Sequence, residues 1–71
     1  MLKQVIKRLT DEGFHQEKRT TTFLHGVEYE SIIFVKDDVN IHLLIHENKI
    51  FADLGGILME VKELDPTRWV W

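Results

Sequence analysis

The chain contains no cysteine, which excludes a disulfide framework and every thiolate zinc site. It has a single proline, Pro66, and four glycines, too few for a flexible linker or a glycine-rich phosphate loop. Long apolar runs are missing as well. The longest, Ile32 to Val35, is four residues, against the ~20 that a membrane span needs. Charges occupy the N-terminus where a signal peptide would be apolar. Nor is there a basic excess: nine Lys and Arg stand against twelve Asp and Glu, a net charge of −3. Nucleic-acid binders usually show the opposite balance. Lys18 and Arg19, with Lys3, Lys7 and Arg8 nearby, read as a solvated face. The expectation is a cytoplasmic protein with no cofactor, no membrane contact and no nucleic acid among its partners.

What is present suits a small globular domain. Apolar residues make up 44% and charged residues 30%, too apolar a mixture for a disordered tail. The length predicts one domain over residues 1–71 with a modest core. Leu2, Val5, Ile6 and Leu9 recur at helical spacing and predict an amphipathic helix over about 2–12. Lys7 with Asp11 and Arg8 with Glu12 are i,i+4 pairs on its wet side. Gly13 supplies the left-handed residue that stops the helix, and Phe14 can fold back onto Leu9.

Beyond Gly13 the period changes to two. Strand formers from Thr20 to Phe23, then Val27 to Val35, are split by a turn at His25-Gly26. Asp37-Asp38 precedes the alternating run Val39 to His46, and Glu47-Asn48 precedes Ile50, Ala52 and Leu54. Gly55-Gly56 then turns into Ile57, Met59 and Val61. Residues 57–64 also fit a helical stripe through Ile57, Leu58, Val61 and Leu64, but the glycine turn keeps the alternation in register with Leu54. Asp65-Pro66 reads as the start of a short C-terminal turn. The expected fold is α+β: one N-terminal amphipathic helix packed on a curved, small-barrel-like antiparallel meander of four to five strands.

Two-residue turns set register. They place Ile32, Phe34, Ile41, Leu43, Ile45, Ile50, Ala52, Leu54, Ile57, Met59 and Val61 on the core face beneath the helix. The opposite face then carries Tyr29, Ile33, Val35, His42, Leu44, His46, Phe51 and Leu58, together with Ser31, Asn40 and Asp53. A solvated sheet face is mostly Thr, Lys, Glu and Ser. Large apolar groups in this position mark an interface. Trp69 and Trp71 either cover that face or extend it, so they join the candidate interface residues.

Catalytic and metal chemistry find little support. His42 and His46 share a face, with Asp53 opposite His42. Residues i and i+4 on a strand lie ~13 Å apart, too far to share one ion. His42 reads instead as a half-buried imidazole bonded to Asp53. Neither a nucleophile motif nor HExxH occurs. The expectation is no enzyme, no catalytic residue and no metal site.

Two family patterns overlap the chain. Phe23-Leu24-His25-Gly26, Ser31, Ile33, Asp37 and Val39-Asn40 resemble the first motif of the Sm-like small barrels. Ser31 stands where that family keeps a glycine, and Leu54-Gly55-Gly56 replaces the Arg-Gly of its second motif. The resemblance implies a ring of subunits binding single-stranded RNA, with Asn40 near the base pocket. The order helix, Gly13-Phe14, Arg19 and hairpin His25 is similar to the HicA-type toxin ribonucleases, without their glycine-serine-histidine signature. It implies a ribonuclease with a hairpin histidine. On the residues themselves, a non-catalytic protein-interaction module ranks first, either as a homodimer or as an adaptor or inhibitor that binds a larger protein. An Sm-like RNA binder comes second and a small ribonuclease third.

Overall fold

The computed structural model describes residues 1–62. The expected turn at Asp65-Pro66 and the two tryptophans, Trp69 and Trp71, lie outside the described residues. Helix α1 spans Leu2–Asp11 and buries Val5 and Leu9, with Leu2 and Ile6 packed partly against the same cluster. Both charge pairs form, Lys7 with Asp11 at 2.8 Å and Arg8 with Glu12 at 3.1 Å.

The helix ends in a Schellman motif. Gly13 takes φ +96°, its amide donates to the Thr10 carbonyl at 3.0 Å, and the Phe14 amide donates to the Leu9 carbonyl at 2.9 Å. Phe14 thereby joins Leu9 in the core. A β-carbon at Gly13 would be strained by that φ and would meet the Lys36 side chain at 3.4 Å.

Five strands follow: β1 His15–Leu24, β2 Val27–Lys36, β3 Val39–His46, β4 Lys49–Leu54 and β5 Ile57–Glu60. They form one antiparallel sheet in the order β1-β2-β3-β4-β5, joined by four two-residue turns. At these turns His25, Asp37, Glu47 and Asn48 adopt positive φ, as do Gly26, Gly55 and Gly56. Such angles match the twist of the flanking strands. The register is the one the turns demand: Ile32 opposes Leu43, Ile33 opposes His42, Leu44 opposes Phe51, and Ile45 opposes Ile50. The start of the 57–64 segment is a strand, Ile57–Glu60, with Ala52 opposite Met59; Leu64 lies outside the described residues.

Three features differ from the sequence expectation. The sheet is open: β1 and β5 are its two edges among the described residues, whereas a small barrel would pair them. Strand β1 begins at His15 rather than Thr20, with an irregularity between Gln16 and Lys18. Residues 15–19 are polar and lack alternation, so only their pairing with Ile32 to Val35 draws them into the sheet. Finally, Ile57 is 72% exposed. It follows the Gly55-Gly56 turn at the tip of the last hairpin, while Val61 at the other end is buried and its amide donates to the Ile50 carbonyl at 2.8 Å.

Candidate interaction face

Register places Ser31, Ile33 and Val35 of β2, His42 and Leu44 of β3, Phe51 and Asp53 of β4, and Leu58 of β5 on the side away from the buried cluster beneath α1. Tyr29 and His46 continue that face. The Tyr29 and His46 rings lie 5.5 Å apart, and Tyr29 meets Phe51 edge-to-face at 6.1 Å. Strands β2 and β4 flank β3 and are separated by two interstrand spacings, ~9.6 Å. Rings rooted on those strands meet at 6.1 Å only by leaning together over β3. Leu44, on β3 between them, is 0% exposed. It is a buried residue of the fold, and the half-buried residues of the face are Tyr29, Ile33, Val35, His42, His46, Phe51, Asp53 and Leu58.

A line of polar contacts crosses the same face. The Ser31 hydroxyl lies 2.6 Å from His42 Nε2, His42 Nδ1 lies 3.3 Å from Asp53 Oδ2, and Asp53 Oδ1 accepts from the Gly56 amide at 2.9 Å. A carboxylate only accepts, so the neutral tautomer that suits both contacts has its proton on Nδ1 and accepts at Nε2 from the Ser31 hydroxyl. The His42–Asp53 contact was legible from register. The Ser31–His42 contact is not read from direct pairing, although Ser31 sits on the same face two residues from Ile33, the direct partner of His42, and diagonal neighbours are within reach of long side chains. His46 is tied separately, with Nδ1 3.1 Å from the Glu28 carbonyl and Nε2 3.8 Å from the Glu47 carboxylate.

The Ser31–His42–Asp53 connectivity is that of a serine hydrolase relay. Such a relay also needs an accessible hydroxyl and backbone donors aimed at the developing oxyanion. Ser31 is 6% exposed and lies mid-strand between two ladders. Counting from the Leu24–Val27 pair that closes the first turn, its amide and carbonyl are committed to Thr20. Among the described residues, no three His, Asp or Glu side chains come together as a metal-binding cluster, and no helix is long and apolar enough to cross a membrane. Among the described residues, one charge pair departs clearly from ordinary titration. The hydrogen bond between Arg19 and Glu30, 2.7 Å across the β1–β2 pair, lowers the Glu30 carboxyl and raises the Arg19 guanidinium.

No protein-family model, curated protein or solved structure matches the chain.

Proposed function

We propose that the chain is a small non-catalytic protein-interaction module, an adaptor or inhibitor type of binder. It would work through the sheet face opposite the helix. One observation carries the reading: the rings of Tyr29, His46 and Phe51 cluster on the side of the sheet away from the helix-covered core, with Ile33 and Leu58 half-exposed beside them. Aromatic groups with a polar handle, set around apolar neighbours, are what interface cores favour. The bonded imidazole of His42 supports the same reading, since a side chain held by two partners loses little freedom on binding. Buried Leu44 contributes as the floor of the cluster rather than as a contact.

The test is photo-crosslinking in host cells. A photoreactive side chain at Ile33 is expected to capture a protein that the same group at Lys3, on the exposed side of α1, does not. Capture of RNA, equal capture from both positions, or no capture at Ile33 would each refute the reading. RNA capture would revive the Sm-like alternative, to which the open sheet lends no support.

A further inference from the structure

We propose that the outer edge of β1 is a second interaction surface, and that its partner is the same edge of a second copy, paired antiparallel about Thr22. Among the described residues, strand β1 is an edge of the sheet, no residue of it belongs to the buried core, and its backbone is paired on the β2 side only. Leu24 and Val27 close a two-residue turn, so Leu24, Thr22 and Thr20 point their amides and carbonyls toward β2. Arg19, Thr21 and Phe23 therefore point theirs outward.

Natural edges are guarded by bulges, charges or proline. Here the guards are confined to one half. The irregularity lies between Gln16 and Lys18, and Lys18 and Arg19 follow it directly. From Thr20 to Leu24 the edge is uncharged, regular and built from strand formers. It also carries Phe23, 68% exposed, an odd residue to leave in water on an open edge.

A second copy satisfies all of these features together. Two-fold pairing about Thr22 sets Thr21 opposite the partner's Phe23 and Phe23 opposite the partner's Thr21. Both pairs use outward-pointing groups, and each exchanges two backbone hydrogen bonds. The two Phe23 rings become diagonal neighbours on one face, within reach of each other. On the other face Thr22 meets its own copy, and Thr20 meets the partner's Leu24. No like charges oppose one another over this stretch. Arg19 falls opposite the partner's turn at His25, where the ladder ends. The product is a ten-stranded continuous sheet that places two copies of the candidate face side by side.

The absence of native cysteine makes the register directly testable. Thr22→Cys puts the only thiol of each chain at a non-hydrogen-bonded pair, whose Cα separation of ~4.5 Å lies within disulfide range. Mild oxidation of the full chain is expected to convert Thr22→Cys into a disulfide-linked dimer, while Thr20→Cys, on the same face but opposite Leu24, stays largely unlinked. Sedimentation of the wild type is expected to show twice the 8.4 kDa chain mass. Thr21→Pro removes an outward amide and leaves the β1–β2 ladder intact, so it should halve that mass with an unchanged circular dichroism spectrum. A wild type that stays monomeric at high concentration overturns the proposal. So does equal linking at positions 20 and 22, or a dimer that survives Thr21→Pro but dissociates with Ile33→Lys. That last outcome would move self-association to the face and leave the protein-binding reading standing.

Discussion

Truncating Leu9 to alanine removes three carbon atoms from a side chain that is fully buried against β2, β3 and β4 residues. At ~0.8 kcal/mol for each buried CH₂ the transfer loss alone is about 2.4 kcal/mol. The cavity adds to it, so the expected cost is about 3–4 kcal/mol, inside the range of buried leucine truncations. A domain of this length has roughly 4–10 kcal/mol of stability in total. With a urea dependence of about 1 kcal/mol per molar for a small protein, the midpoint should fall by about 3–4 M. The Leu9 carbonyl also holds the Phe14 amide, but alanine keeps that bond, so the loss reports packing. Lys7→Ala and Arg8→Ala, which break exposed i,i+4 pairs, serve as controls and should each cost about 0.5 kcal/mol or less. Urea titrations followed by far-ultraviolet circular dichroism make the comparison. A Leu9→Ala midpoint within error of the controls would refute the packing of α1 on this sheet.

Two further outcomes follow from the polar contacts. His42→Ala strips both Ser31 and Asp53 of a partner, whereas Ser31→Ala removes one hydrogen bond worth about 1 kcal/mol; the histidine change should therefore cost more in the same urea assay. Under alkaline conditions, where imidazoles are neutral, long-range proton–nitrogen spectra should show His42 protonated at Nδ1, and an Nε2–H tautomer would break the inferred line. The Arg19–Glu30 pair gives a pH dependence of known sign. The folded Glu30 carboxyl lies below its ordinary value, so the small stabilisation is fully present above the unfolded carboxylate range and is lost as pH falls through the folded value. Glu30→Gln should flatten that acidic limb, and an unchanged limb would count against the pair.

Much of the fold could be read from residues because local signals agreed with one another. The stripe Leu2, Val5, Ile6 and Leu9 ends at a glycine followed by an apolar residue, and the Schellman bonds form at those positions. Four two-residue turns leave no freedom in the pairing of Leu44 with Phe51 or Leu54 with Ile57. What escaped was decided by the neighbourhood rather than the pattern. Residues 15–19 become strand because β2 offers them a ladder. Ile57 keeps the inward alternation but stands at a hairpin tip and is largely exposed, so alternation alone overstated its burial. Closure escaped for a related reason: a meander pattern fixes neighbours, not whether the first strand meets the last.

The candidate face combines a bonded polar line with an apolar cluster, and the two have different consequences for specificity. Ser31, His42 and Asp53 sit on three consecutive strands, so a one-residue slip of β3 would turn His42 to the other side and strand two polar partners. Ser31 is the buried member of the line, and a buried polar group left unpaired costs more than its bond contributes. Through Ser31 the line penalises wrong registers as well as stabilising the right one. Tyr29, His46 and Phe51 work the other way. Their ring contacts need only approximate alignment, and Leu44 beneath them is fully enclosed. A sheet held in register by its polar line can present this partly exposed aromatic cluster without the slippage that two apolar faces would otherwise invite.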